Sequence, residues 1–376
     1  MFNKFFKSFQ PLSDDVLSLI YFLGLEIFEN RLFIIVQIFI LVLHVLLTLF
    51  DTYFFVIEFS MEFLIKYVST YLAVVAVTIN FATILCKRYA VRKFAEAFQC
   101  YKVGFHNIAL KAKGSIFRES RDCILRESKN ANNFVKAHLV LVLITGILII
   151  PIGEERDTHF SVVLFEKYYP LYVIEGIYFL SFSIIAYVSV RLAYNILYSV
   201  LHAKFQVYML LDYIKGIVDD YEDTDDSNLL ESEEYQSVVK ERLNEMILKI
   251  NTLIKMVNMG SDLAKHFIPT MATSGVLMGL SVMSFMSALI IYVHSGQQLE
   301  NETEVICDAI YNIRWLSFNL SNRKTILISL INAQNPLKLR FTGGIACNYE
   351  PGMKIYKNLY SFAAVMGRLS EVRQIK

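Results

Sequence analysis

Long apolar runs separated by charged segments dominate this sequence. Five of the runs are long enough to cross a bilayer and hold few charges: Leu32–Phe50, Tyr67–Cys86, Phe134–Pro151, Leu171–Leu201 and Phe267–His294. An α-helix rises about 1.5 Å per residue, so roughly 20 apolar residues cross the hydrocarbon core. Because lipid cannot satisfy free backbone polar groups, the runs are predicted to be membrane-spanning α-helices.

Two further apolar segments near the C-terminus contain charged residues. Val305–Phe318 holds Asp308 and Arg314, and Met353–Leu369 is interrupted by lysines and Arg368. A mixed helix of this kind cannot face lipid on every side, so it is predicted to lie inside protein or beside water. These segments bring the predicted number of spans to seven.

The basic residues around the spans predict the orientation of the chain. Lysines and arginines outnumber acidic residues in the loop 87–133, which is therefore predicted to be cytoplasmic. The segment after the first span begins with Asp51 and is predicted to face outward. The N-terminus is then inside, the C-terminus is outside, and the short loop Ser295–Thr303 is exterior. That loop contains the sequon Asn301-Glu302-Thr303, which makes Asn301 a predicted glycosylation site.

The predicted fold class is all-α: a polytopic membrane protein with seven transmembrane helices, a cytoplasmic N-terminus and a cytoplasmic helical anchor region. Its predicted parts are helices 1–4 with the cytoplasmic loop 87–133 (1–201), cytoplasmic helical extensions with an acidic loop (202–265), helices 5–6 (266–318), an anchor helix (319–340), and the pore-lining helix 7 with an extracellular C-terminus (341–376).

Two cytoplasmic segments leave alternatives open. Asp219–Asp226 is acidic but lacks the glycine and the terminal glutamate of a calcium loop, so a solvated tip is favoured over a calcium site. Ile326, Leu327 and Ile331 precede Pro336 at helical spacing, which predicts a short amphipathic helix. Its apolar side serves either a contact between subunits or packing within one subunit.

The composition narrows the classes of function. Of the 376 residues, 55% are hydrophobic and 14% are aromatic, which exceeds the needs of a soluble core. A formal net charge of +1 gives no reason to expect nucleic acid as a partner. The five cysteines form no CxxC pair, and we find no nucleophile elbow, phosphate loop or zinc motif. We therefore expect no enzymatic activity, no metal site and no cofactor.

The C-terminal third shows a family pattern. Its motifs are Ala309-Ile310-Tyr311 with Trp315, then Arg323-Lys324, the run Leu330-Ile331-Asn332-Ala333-Gln334-Asn335-Pro336, the linker Phe341-Thr342-Gly343-Gly344 and Tyr360-Ser361-Phe362-Ala363-Ala364-Val365-Met366. This order resembles the insect odorant receptors. The spacing agrees over the whole chain, and specific residues agree from about Gln297 onward.

The resemblance implies a heterotetrameric, odorant-gated, non-selective cation channel in the plasma membrane of a sensory neuron dendrite. In this family each subunit contributes its last helix to the pore and holds an odorant in its outer membrane half. The chain lacks the long cytoplasmic insertion of the common co-receptor, so it resembles the ligand-tuned subunit that works with that co-receptor. The family also implies that Val365 lies at the hydrophobic gate. Arg368, three residues later, shares its helical face and turns toward headgroups or is tolerated among partner subunits.

A volatile odorant needs an apolar, aromatic pocket closed to bulk water, and such a pocket suits small phenols or indole-like molecules. The candidate ligand-binding residues of the outer membrane half are Tyr67, Tyr71 and Val74 on span two, Gly146 and Ile150 on span three, Tyr172, Gly176, Phe179 and Ser183 on span four, and Ile306 and Ile310 on span six. Each of them is equally compatible with plain helix packing.

Two other functions remain as alternatives. A metabotropic, G-protein-coupled chemoreceptor would require an outside N-terminus, which the basic loop opposes. A gustatory-type receptor channel would end in a Thr-Tyr, aliphatic, Gln-Phe signature, which the sequence lacks.

Overall fold

The computed structural model describes residues 16–57, 60–89, 91, 118–148, 161–162, 172–221, 225–277, 282–341 and 344–374. Within these ranges, the side chains of residues 61–66, 69–70, 73, 118–119, 172–173, 266–288, 359, 362–363 and 365–374 lie outside the description. The regular elements of the described ranges are helices, and an isolated bridge pairs Arg340 with Ala346. The all-helical prediction is confirmed.

The described helices follow one another in this order along the chain. An N-terminal segment consists of Ser18–Tyr21, a π-helical turn Phe22–Glu26 and Ile27–Glu29. The longer helices are α1 (Arg31–Ile57), α2 (Met61–Cys86), α3 (Arg118–Leu148), α4 (Tyr172–Lys215), α5 (Asp226–Glu231), α6 (Glu233–Leu277), α7 (Val282–Tyr311), α8 (Leu320–Ala333) and α9 (Tyr349–Gln374). Short 3₁₀ turns stand at Asp219–Tyr221 and Trp315–Ser317.

Three helices of the described residues are long and apolar enough to cross a bilayer. They are Arg31–Ile57, Ser120–Leu148 and Ile174–Tyr221, and a shorter apolar stretch covers Val74–Cys86. These four overlap the first four predicted spans. The predicted fifth span, Phe267–His294, covers the end of α6 at Leu277 and the start of α7 at Val282, and residues 278–281 lie outside the described residues.

Helix α4 is the centre of the bundle. It packs against α3, α6 and α7, and 61% of its most apolar stretch is buried, against 17% for α1. The N-terminal segment docks on it through Arg191, whose Nε donates to Gly24 O at 3.0 Å and whose guanidinium carbon lies 4.0 Å from the centre of the Phe28 ring. A carbonyl and an aromatic face thus offset part of the cost of a cation inside an apolar bundle, while its two Nη atoms have no hydrogen-bond partner among the described residues.

Helix α7 corrects the predicted topology near residue 300. It is continuous from Val282 to Tyr311, so the prediction of a loop at Ser295–Thr303 is wrong. The polar residues that indicated a loop instead contact neighbouring elements. Glu300 pairs with Lys338 at 2.7 Å, and Glu302 lies 3.3 Å from Lys204 of α4. The part of a helix that lies beyond the hydrocarbon does not need apolar residues. A prediction from hydropathy alone therefore ended this helix too early.

The same contacts bear on the predicted glycosylation site. Glu302, next to Asn301, shares Lys204 with Glu127, and Glu127 belongs to the segment 87–133 that is predicted to be cytoplasmic. Asn301 lies inside the helix, where its Oδ1 accepts a hydrogen bond from Gln297. The exterior loop on which the glycosylation prediction depended is therefore absent from α7, and we do not propose the site further.

The acidic run after α4 is partly paired. Asp220 lies 2.5 Å from Arg242, and Asp226 lies 2.7 Å from Arg314. Among the described residues, no group of three or more His, Cys, Asp or Glu side chains is placed to hold a metal ion. The side chains of Asp220 and Asp226 are still 65% and 40% exposed, in keeping with the predicted solvated tip, and their ion pairs connect this segment to α6 and to Arg314 after α7.

Candidate functional site

Helices α3 and α4 meet at Gly146, toward the end of the bundle that is predicted to be the outer one. A Cβ atom at this position would lie 2.4 Å from Cα of Ser183, which no real side chain tolerates, so only glycine allows this approach. Among the described residues, the buried Oγ of Ser183 has no hydrogen-bond partner. The structure thus brings two predicted ligand residues together and leaves a hydroxyl available to a bound molecule.

The predicted residues of α2 divide between two surroundings. Tyr71 stacks on Phe55 of α1 with ring centres 4.6 Å apart, and its hydroxyl lies 2.9 Å from Thr52 Oγ1. Tyr67 is buried among phenylalanines of the same end of α1. Val74 belongs instead to the main core of the bundle. The two tyrosines therefore hold α1 and α2 together, which is the packing alternative considered for them.

The predicted ligand-binding residues of α4 differ in how far they are buried. Phe179 is buried, and its ring centre lies 5.1 Å from that of Tyr178. Gly176 faces open space, since a Cβ there would meet no atom within 4 Å. Tyr172 begins α4, but its side chain lies outside the described residues, as does the whole of Ile150.

Ile306 and Ile310 do not belong to this outer group. They lie one and two turns beyond Glu302 on α7, at the end of the bundle where Glu302 meets Lys204. Both are buried, and the nearby Thr303 hydroxyl accepts a hydrogen bond from the backbone of Leu337. Their assignment to an outer ligand pocket is wrong because it assumed a sixth span that starts outside at residue 305.

A buried polar network between α1 and α4 was missed by sequence reasoning. His44 Nε2 lies 2.7 Å from Ser181 Oγ, and the hydroxyl of Ser161 donates to Asp51 at 2.8 Å. Asp51 is 3% exposed, although its place at the end of an apolar run predicted an outward flank. The available signal was the spacing of His44 and Asp51, which lie seven residues apart and therefore on one face of α1.

The last helix, α9, contains both predicted pore residues, Val365 and Arg368, whose side chains lie outside the described residues. Its first turns pack on α7, where Gly352 faces Val293 and a Cβ would come within 2.8 Å of that side chain. The Tyr349 hydroxyl lies 2.7 Å from His294 Nδ1. On the described part of its other sides, Met353, Tyr356 and Tyr360 are exposed.

Comparison with known proteins identifies the class of this bundle. The family model of the 7tm odorant receptors matches residues 75–363, most of the chain. The chain belongs to the insect odorant receptor family. It is therefore a multi-pass membrane protein of a family of odorant-gated channels, which are not enzymes. No curated protein matches the chain.

The solved structures agree with the fold. The insect olfactory receptor OR5 from Machilis hrabei is similar with a TM-score of 0.60 and 11% identity over 97% of this chain and 98% of that receptor. The same receptor in complex with eugenol is similar with a TM-score of 0.51 and 11% identity, and the alignment covers 98% of each chain. At this identity the similarity establishes the odorant receptor fold alone.

Proposed function

We propose that this odorant receptor is the ligand-tuned subunit of a non-selective cation channel in the plasma membrane of a sensory neuron dendrite. A small volatile odorant binds between the outer halves of α2, α3 and α4, and α9 lines a pore together with co-receptor subunits of a heterotetramer.

The exposed surface of α9 is the observation that supports this proposal most directly. Tyr356 and Tyr360 are 50% and 67% exposed, and Lys354 and Lys357 lie on the same helix. Within the described residues α9 packs on α7. Lysines and tyrosine hydroxyls need protein or water beside them rather than hydrocarbon. Neighbouring subunits around an aqueous path supply both.

Helix α8 supports an assembly at the other end of the subunit. Asn322, Ile326 and Ser329 point inward and are buried, whereas Leu327 and Ile331 are exposed. An exposed apolar side on a helix outside the membrane favours a contact between subunits over packing within one subunit. Such a contact closes a ring of subunits around the pore.

The ligand side of the proposal depends on the contact between α3 and α4. Phe179 offers an apolar surface, Gly176 leaves space beside it, and Ser183 offers a free hydroxyl. This combination suits a small aromatic odorant with one hydrogen-bonding group. Eugenol, the ligand in the Machilis hrabei complex, is a molecule of this kind.

Two measurements test the proposal. In cells that express this chain with a co-receptor, an active odorant should open currents in excised patches without added nucleotide. Single cysteines along Tyr360–Arg368 should react with permeant thiol reagents and block those currents, because α9 lines the water-filled path. If all of these cysteines stay unreactive in resting and in stimulated cells, α9 is not the pore helix.

The metabotropic alternative predicts a different result in the same cells. Currents would then require guanine nucleotide and would disappear in excised patches. Protease protection of an N-terminal tag separates the two topologies independently.

A further inference from the structure

A cavity lies between the inner parts of α3, α4 and α7. Its volume is about 420 Å³, within the range of sites for small molecules. Phe134, Leu197, Leu201 and Ile290 supply apolar walls, and Lys204 and Gln298 stand among its polar residues.

The cavity is distinct from the proposed odorant site. On α3, Phe134 precedes Gly146 by twelve residues, a rise of about 18 Å along a helix. On α4, Leu197 follows Ser183 by fourteen residues, a rise of about 21 Å. A molecule that fits either site cannot reach the other, so the two regions bind separately.

The apolar rim of the cavity faces the side of the bundle where lipid is expected. Phe134 and Ile290 line it and are nevertheless 49% and 62% exposed. Large apolar side chains are exposed in this way where a membrane protein meets hydrocarbon. An occupant therefore enters from the bilayer and must itself be soluble in lipid.

The polar end of the cavity carries a charged cluster. The buried Lys204 ammonium lies 2.9 Å from Glu127 Oε1 and 3.3 Å from Glu302 Oε1, and the Tyr208 hydroxyl lies 2.7 Å and 3.2 Å from the same two oxygens. Two carboxylates beside one ammonium leave a net negative charge. This charge repels anions such as fatty-acid carboxylates and lipid phosphates.

The hydrogen-bonding groups at this end include donors and acceptors: Asn130, Ser295, Gln298 and the Lys204 ammonium line the cavity together with the Glu127 carboxylate. Gln298 Nε2 is engaged with His294, so the Oε1 atom of Gln298 is left to accept a hydrogen bond. Glu127, which also lines the cavity, adds carboxylate oxygens. A hydroxyl group can both donate to the Glu127 carboxylate and accept from the donors, whereas an ether or ester can only accept and makes no hydrogen bond to that carboxylate.

We propose that this inner cavity is a second ligand site, which binds an uncharged amphiphile with a hydroxyl group, such as an alkylphenol or a long-chain alcohol dissolved in the membrane. The hydroxyl donates to Glu127 or Gln298, and the alkyl part lies against Phe134, Leu197 and Ile290. The site requires no odorant in the outer half, so its test does not depend on the proposed channel function.

The test uses the full chain in lipid nanodiscs and para-hexylphenol that carries a photoreactive diazirine on its alkyl chain. The labelled residues, located by mass spectrometry, should fall on the inner parts of α3, α4 and α7. Unlabelled para-hexylphenol should compete about tenfold better than para-hexylanisole, which has no hydroxyl to donate.

A matched pair of variants on α3 localises the binding. Ala131 lines the cavity, whereas Ala137 is exposed on the same helix. Ala131→Trp should fill the cavity and reduce inner labelling at least about tenfold, and Ala137→Trp should leave it unchanged. Labelling that survives in Ala131→Trp, equal competition by the anisole, or displacement of the probe only by phospholipid would each overturn the proposal.

Discussion

Helices α4 and α9 satisfy their polar and apolar groups in different ways. Many inward side chains of α4 pack or bond inside the chain, and Arg191 rests on a carbonyl and an aromatic ring. By contrast, α9 leaves Met353, Tyr356 and Tyr360 exposed. A ligand site built on α4 is therefore complete within one subunit, whereas a pore built on α9 requires other subunits. Four substitutions test this division.

The strongest effect on the stability of the single chain is expected from Lys204→Met. The substitution leaves Glu127 and Glu302 facing each other in a mostly buried place with no cation between them. Removing one partner of a buried ion pair lowers the free energy of unfolding by about 3–5 kcal/mol. Because water still reaches part of both glutamates, we expect a loss near the lower end, about 3 kcal/mol. The melting temperature of the purified protein measures the loss.

Two controls accompany Lys204→Met. Restoring neutrality with Glu127→Gln and Glu302→Gln in the same chain should recover most of the stability. Lys354→Met removes a solvent-exposed pair with Glu350 on α9 and should barely change the melting temperature. Similar losses for the two lysines would show that α4 is not held by its buried charges.

Gly146→Ala should loosen the contact between α3 and α4. The new methyl group overlaps the backbone of Ser183, and overpacking of this kind costs about 1–3 kcal/mol. The melting temperature and the odorant-evoked current should both decrease. Gly176→Ala meets no atom within 4 Å and is the matched control for stability. An unchanged melting temperature for Gly146→Ala would contradict the close approach.

Leu327→Asn tests the dependence of α8 on other subunits. The side chain is exposed in one chain, so the stability of the isolated subunit should change by less than about 0.5 kcal/mol. Assembly should weaken by about 1–2 kcal/mol for each affected contact. The size of the complexes, measured with and without the co-receptor, separates these effects. Ser321→Asn on the same helix should leave assembly intact.

Ser183→Ala should have the smallest effect and should alter binding alone. Its hydroxyl has no partner among the described residues, so removing it should not destabilise the bundle. The apparent affinity for an odorant with a hydroxyl group should fall about two- to tenfold, the value of one hydrogen bond. Ser181→Ala reverses this pattern, because that hydroxyl is bonded to His44 and its loss should lower stability. Equal responses to a hydroxylated odorant and its ether would exclude Ser183 as a contact.

Parts of the candidate site were predictable because the depth of each residue follows from the length of its own apolar run. Gly146 and Ser183 were both named from their spans, and the structure places them in direct contact. Ile306 and Ile310 were misplaced, because no local signal shows that α7 continues through the polar residues 295–303. Asp51 was misassigned for a related reason: its partner Ser161 is 110 residues away.

Long apolar runs were enough to predict that the chain is helical and crosses a membrane, and the C-terminal motifs indicated the family. These properties follow from the length of each apolar run and from motifs of a few neighbouring residues, so each can be recognised within a single segment. Only the tertiary structure decided where α7 ends, which acids are buried and paired, and that an inner cavity lies between α3, α4 and α7. Those outcomes depend on contacts between residues far apart in the chain, and hydropathy contains no information about such contacts.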